Sequence, residues 1–483
     1  MGAEEADVGK RAVALAPFSA AEREDFFASI ARHRRAAMRI GWLADACALV
    51  LALVVAMLMA PLLYALLGLL MDLVNLVVPT PDLIGTATDA VGGLIDPTGP
   101  VPAWRYVEIA LLSAIPGLVV IFLIQHTLGR LMREAMAGDG STFAARSPNT
   151  SDLGEQRFAN SVAEMAIAAT LPPPRVWITD NDAVNAAAFG ADARHANVVV
   201  STGLLTGATR DELQGVAAHL VGEIANGDLR IGARIATQLG MFGLIARLSN
   251  SMADRQAAGR LLRLLRRSLR PGTSEADGEL AMTLTNPFEP EAHAAPDATQ
   301  DTGKVPWRTF AWMPLAGPLV IAGFFGGLVC TAILGPLLAL GWRSRKYQAD
   351  ATAVQFTRNP DTLGSALEKI RGEPVVGAFG AWIAHLSVVP SPLIGARSIL
   401  GGSSAPMAPS LDKRLKALGL MGAQVSPHAG RRVPSWAWII LVPLLALVAV
   451  LIGTVILGLI YVSAALSGLL TWLPAVLVHA MLR

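Results

Sequence analysis

The chain is 483 residues long, 53% hydrophobic and only 16% charged, whereas soluble domains carry roughly 25% charged residues, so the balance points to lipid. A formal net charge of +2 is too small to suggest a nucleic-acid partner. The two cysteines, Cys47 and Cys330, both lie in apolar runs, which excludes a disulfide framework and any cysteine-rich zinc site.

Residues 1–40 are mixed and charged, ending in the basic run Arg32, His33, Arg34, Arg35 and Arg39, and predict a cytoplasmic N-terminal segment. The apolar stretch after them starts too late and runs too long for a secretory signal, so it is expected to stay as an anchor. Within residues 41–129, Ala46–Met71 and Ile109–Gly129 carry no formal charge, and each reaches the roughly 20 residues a bilayer core requires. The loop between them, Val78–Trp104, holds Asp82, Asp89 and Asp96 but no Lys or Arg, while Arg130 and Arg133 come after the second span. That asymmetry predicts an extracytoplasmic loop and a cytoplasmic N-terminus.

Residues 130–234 have the composition of a soluble domain. A helix is expected over Glu155–Ala169, ending before Leu171-Pro172-Pro173-Pro174, then β-branched strands over Arg175–Thr179 and Asn197–Ser201. Thr209 with Glu212 three residues on reads as a capping box, opening a helix that should stop at Asn226-Gly227. Residues 235–249 contain a short uncharged run, Ile235–Ala246, whose length leaves spanning and interfacial placements open. Residues 250–308 combine a basic amphipathic stretch (Arg260, Arg263, Arg266, Arg267, Arg270 among leucines) suited to anionic lipid with a polar linker, Pro271–Val305. Residues 309–342 predict a further span, 343–430 the second part of the soluble domain, and 431–483 a C-terminal membrane region.

Val184 to Gly190, Val198 to Leu205, Asp211 to Asp228, Arg345 to Asp350 and Leu411 to Leu415, taken in order, resemble segments of the HtpX-like and CAAX-prenyl-protease-like membrane zinc metallopeptidases. Val184-Asn185-Ala186-Ala187-Ala188-Phe189-Gly190 is similar to that family's Asn-Ala-Phe-Ala-x-Gly segment, and Val198 to Leu205 to its edge strand and the turn behind it. Asp211 to His219 leads into its zinc helix, and Ile224-Ala225-Asn226-Gly227-Asp228 matches the run after the family's second histidine. Arg345-Lys346-Tyr347-Gln348-Ala349-Asp350 resembles Arg-Glu-Tyr-x-Ala-Asp, and Leu411-Asp412-Lys413-Arg414-Leu415 the terminal arginine segment. The resemblance implies an α-helical membrane protein of about four to six spans, carrying an α+β zincin-like cytoplasmic domain at a bacterial inner (plasma) membrane. The zinc helix and the Lys346 segment must then share one compartment, so an even number of crossings separates Asp228 from Arg343.

Such an enzyme carries His-Glu-x-x-His on one helix face, two metal ligands with a general base between them, plus a glutamate ligand from a later helix. Here the run is His219-Leu220-Val221-Gly222-Glu223: the first ligand remains, Leu220 replaces the base, and Glu223 replaces the second histidine. Lys346 stands at the third-ligand position. Losing the base alone removes on the order of a hundred- to ten-thousandfold in rate. No catalytic residue, metal or cofactor is therefore expected, with zinc required only if the family activity survives. Glu223 and Lys346 are expected either to pair in place of the metal or to turn separately to solvent, and a residual ion among His219, Glu223 and Asp350 is the other arrangement to test. His195 and His385 have no ligand-spaced neighbours, and neither Ser201 nor Ser344 sits in a nucleophile elbow.

The expected function is a pseudo-peptidase that binds lipid and retains recognition of peptide segments of membrane proteins, or of an active peptidase subunit. Its candidate binding strand is Asn197, Val198, Val199, Val200 and Ser201, since a peptide can add to an exposed strand without metal. The alternatives are an active membrane metalloendopeptidase with unusual ligands and a structural subunit with a collapsed groove.

Overall fold

A computed structural model describes residues 23–75, 77–79, 102–137, 145–251, 334–371, 386–389 and 408–425, together with Arg263 and Arg266. The polar linker, most of the basic stretch, the greater part of the 309–342 run and the C-terminal region lie outside the described residues.

Two long helices come first, α1 (Phe26–Asn75) and α2 (Ala103–Ala137). Within them Phe26–Ala60 and Leu111–Arg133 are long and apolar enough to cross a membrane. They approach closely where Gly117 meets Ala56: a methyl group on Gly117 would lie 2.5 Å from the Ala56 Cα, so only glycine permits this crossing. Residues 26–40, expected as a separate segment, are instead the first turns of α1, and the His33 ring stacks on Tyr347 with centroids 5.0 Å apart.

The sheet domain comes next: β1 (Ala145–Arg146), α3 (Leu153–Ala168), β2 (Arg175–Thr179), β3 (Ala186–Gly190), β4 (Ala196–Ser201), α4 (Thr202–Gly207), α5 (Arg210–Asn226) and α6 (Asp228–Ser251). After the linker come α7 (Gly335–Thr357), α8 (Pro360–Arg371) and α9 (Leu411–Leu420). Helix α5 begins with the expected reciprocal cap: the Thr209 hydroxyl accepts from the Glu212 N–H and the Glu212 carboxylate accepts from the Thr209 N–H. It ends at Gly227, whose φ of +77° is the left-handed conformation that glycine adopts without penalty. Ile235–Ala246 lies inside the 24-residue α6, where Arg234 bonds Asp45 of α1 at 2.7 Å.

The strands form one sheet in the order β1-β2-β4-β3. This corrects the expectation that Asn197–Ser201 is an edge strand. That segment, β4, pairs in parallel with β2 and antiparallel with β3, so backbone groups on both its sides are engaged and every residue is buried. Its β-branched run belongs to a central strand covered on both faces. The edge strand beside it is β3, β1 being the edge on the far side, and the sequence hid β3 because Ala-Ala-Ala-Phe-Gly has little intrinsic strand preference.

Alternation along β4 divides two cores. Val199, with Ala187 and Phe189 of β3, joins the cluster built by α1, α2, α6 and the start of α7, including Val55, Leu128 and Trp342. Val198 and Val200 face the other cluster, with Phe158, Val216, Leu220, Leu367 and Leu415. Helix α7 passes from the first cluster into the second and so carries Lys346 and Asp350 to the site.

Candidate functional site: a buried ion-pair cluster

Helices α5, α7 and α9 converge behind the sheet, and the polar groups they present are all buried: His219 and Glu223 from α5, Lys346 and Asp350 from α7, Arg414 from α9. Spacings of four residues on α5 and α7 place each pair on one helix face. The backbones come close because α5 is lined with small residues. At Gly222 an added methyl group would meet Thr352 of α7 at 3.3 Å, and at Gly215 the Leu363 backbone of α8 at 2.5 Å.

The Lys346 ammonium contacts the Glu223 carboxylate directly. It also donates to the carbonyls of Leu386 at 3.2 Å and Ser387 at 2.9 Å, and lies over the Trp342 ring at 5.7 Å. Arg414 grips Asp350 with both arms of its guanidinium, Nε to Oδ2 at 2.8 Å and Nη2 to Oδ1 at 2.6 Å, and its third nitrogen reaches the Val388 carbonyl. Burial drives the Glu223 carboxyl upward, but the Lys346 charge and then His219 outweigh it and hold it below the usual carboxylate range. At Asp350 burial is likewise outweighed, here by Arg414 above all, and the carboxyl is held far below that range.

His219 sits between the two carboxylates, fully buried, with Nδ1 2.9 Å from Asp350 Oδ1 and Nε2 3.3 Å from Glu223 Oε1. Neither contact has the direction of a hydrogen bond, so both ring nitrogens are left without such a partner. A short distance without alignment is an electrostatic contact, not a hydrogen bond. Leu220, at the position of a general base, is fully buried in the apolar cluster behind the sheet and offers no proton acceptor.

The residues do not fit the zinc that the resemblance implies. Glu223 is taken by an ammonium and both Asp350 oxygens by Arg414, and no group of three metal-binding side chains occurs among the described residues. The two carboxylates, Glu223 and Asp350, already face two cations, Lys346 and Arg414. A dication added here would be an uncompensated buried charge, which costs several kcal/mol.

Three further residues were not singled out as site residues from sequence. Arg414 is one. Its sequence signals are its place in the segment that resembles the family's terminal arginine run and its interruption of a stripe of leucines, Leu411, Leu415 and Leu418, neither of which showed that it pairs with Asp350. Asp228 and Arg345 are the others: their side chains meet at the C-terminal end of α5, and Arg345 also donates to Gln348 at 3.2 Å, which in turn donates to Asn226 at 2.9 Å. They tie the junction of α5 and α6 to α7 beside the central cluster.

A profile described as Peptidase family M48 matches residues 152–421, more than half of the chain, and this match covers strands β2, β3 and β4 and all three site helices. Among curated proteins, the chain is similar to the Protease HtpX homolog of Tropheryma whipplei (strain Twist), 31% identical over 216 residues, or 45% of this chain and 56% of that protein. It is similar also to the Protease HtpX homologs of Syntrophobacter fumaroxidans, 28% identical over 57% of this chain and 80% of that protein, and of Thermoanaerobacter pseudethanolicus, 31% identical over 44% and 55%. The chain thus spans little more than half the length of two of these relatives. No solved structure matches it. The extent of the profile match, over the helices that carry the site, establishes that the chain belongs to peptidase family M48 and is HtpX-like within it.

Proposed function

We propose that this protein is a membrane-anchored pseudo-peptidase of the HtpX-like kind, in which zinc hydrolysis is lost and recognition of extended peptide is kept. The observation that carries the reading is the Lys346 ammonium seated on Glu223, at the two positions where the family motif places metal ligands. An ammonium can bridge two helices electrostatically but can neither polarise a carbonyl as a Lewis acid nor generate hydroxide from water, the two tasks of a hydrolytic metal. Leu220 removes the base as well. Two apolar helices support anchoring in a bilayer, and the basic residues at their ends support a cytoplasmic domain at a bacterial inner membrane. Partners of this reading are lipid and peptide segments of membrane proteins, or an active peptidase subunit.

One feature favours the alternative, an active metallopeptidase with unusual ligands: the buried, unbonded nitrogens of His219 are what a metal would seek. Metal analysis of the purified full chain, with a casein-cleavage assay, decides between them. The pseudo-peptidase reading expects substoichiometric zinc and no chelator-sensitive cleavage. Stoichiometric zinc with cleavage abolished by a chelator would establish the alternative.

A further inference from the structure

Among the described residues, strand β3 has a second edge that no other strand of the sheet covers, and a short piece of the chain from far along the sequence lies on it. Ser387 bridges Ala187 in antiparallel fashion, and the Val388 N–H donates to the Ala186 carbonyl at 2.8 Å. The Asn185 side chain continues the ladder as a backbone would: its amide donates to the Val389 carbonyl at 2.7 Å and its oxygen accepts from the Val389 N–H at 3.3 Å. The remaining carbonyls are held by charged groups. Those of Leu386 and Ser387 accept from Lys346, and that of Val388 accepts from Arg414. All four residues are buried, Val389 being the most exposed at 6%.

Every one of these bonds goes to the main chain of residues 386–389. Main-chain contacts read an extended backbone and not its sequence, which is how a sheet edge accepts a peptide. Two of the groups that grip the carbonyls, Lys346 and Arg414, belong to the ion-pair cluster itself.

We infer that Leu386–Val389 covers in cis the outer edge of β3, the edge that the proposed recognition of extended peptide would use, and that Asn185, Lys346 and Arg414 hold it there. The resident segment is a strap: while it is seated, a peptide in trans finds the edge covered, and its release opens the site. This deepens the pseudo-peptidase reading and rests on it, because the ammonium that replaces the metal ligand is the group that holds the strap.

The test uses the full chain in lipid nanodiscs with Cys47 and Cys330 replaced by serine, carrying Ala187→Cys and Ser387→Cys. Bridged antiparallel residues have Cα atoms about 4.5–5.5 Å apart, inside the roughly 4.4–6.8 Å span of a disulfide. The probe is a fluorescein-labelled peptide with the sequence of residues 386–389 between glycine–serine flanks, tracked by anisotropy. Oxidation should lock the strap and weaken probe binding at least tenfold against the reduced form. Val388→Pro, which removes the N–H given to Ala186, should strengthen binding at least tenfold. Failure of the two cysteines to crosslink overturns the inference. So does equal binding by locked and reduced forms, absence of binding in both included. If Val388→Pro does not fold, the locked and reduced forms decide alone; if it folds and binds no better, the inference fails. Cleavage of the probe, seen by mass spectrometry, would instead sink the pseudo-peptidase reading and leave the locking comparison to be judged on binding.

Discussion

Replacing Lys346 with methionine removes the ammonium while keeping nearly the same volume. Glu223 then remains at 3% side-chain exposure, with the His219 Nε2 at 3.3 Å as its nearest polar neighbour. Breaking a buried ion pair by deleting one partner costs about 3–5 kcal/mol, because the surviving charge has neither water nor counter-ion. For a domain of this size about 1 kcal/mol moves the melting temperature by roughly 2–4 °C, so the expected loss is roughly 6–20 °C. The double variant Glu223→Leu with Lys346→Met should recover most of it, since apolar replacement of a whole buried pair is often neutral or stabilising by about 1–4 kcal/mol. The pH dependence comes from the depressed Glu223 carboxyl. A carboxyl lowered on folding contributes stability above its unfolded value of about 4.3, and that contribution is lost as pH falls through the lower folded value. The gap between wild type and Lys346→Met should therefore be full at pH 7 and close as pH falls below the usual carboxylate range. Thermal unfolding in detergent, read by tryptophan fluorescence across pH, supplies the measurement. A single variant within about 2 °C of wild type, or a double variant less stable than the single, would refute the reasoning, since either result means that no desolvated charge was left behind.

Arg414→Met should destabilise by a similar amount, about 3–5 kcal/mol, because it strands the fully buried Asp350 carboxylate; denaturant titration gives the value, and adding Asp350→Asn should restore part of the loss. Gly215→Val should cost about 1–3 kcal/mol by overpacking, since its Cβ would meet the Thr362 and Leu363 backbones at 2.5 Å; a neutral result in the same titration would show that α5 and α8 can move apart. The combination Leu220→Glu, Glu223→His and Lys346→Glu adds a second imidazole and a glutamate ligand to His219 and should take up about one zinc per chain by elemental analysis, the ligand set that such sites use. Leu220→Glu alone should bind none, because Lys346 would still hold Glu223.

Local chemistry made α5 readable from sequence. The cap at Thr209 and Glu212 and the stop at Gly227 depend on a few adjacent residues and form as expected. The strand over Arg175–Thr179 was likewise visible from its β-branched composition. The edge of the sheet was not. A β-branched run looks the same at an edge or in the centre, and only pairing with β2 and β3 makes Ala196–Ser201 central. The strap over Leu386–Val389 left no usable pattern either, being too short for periodicity and bonded to Asn185 across 204 positions of sequence.

The sequence by itself determined which groups stand on the helix that resembles the family's zinc helix and on the later one: an imidazole at His219, an aliphatic chain at Leu220, a carboxylate at Glu223 and an ammonium at Lys346. Side-chain identity alone decides whether a proton acceptor or metal ligand exists. Only the tertiary structure decided what those groups do with one another. Glu223 and Lys346 lie 123 positions apart, Asp350 and Arg414 lie 64 apart, and each pair carries charge into a site closed to water. How such charges are satisfied depends on which helices and backbone carbonyls fold around them, and that neighbourhood exists only once the chain has packed.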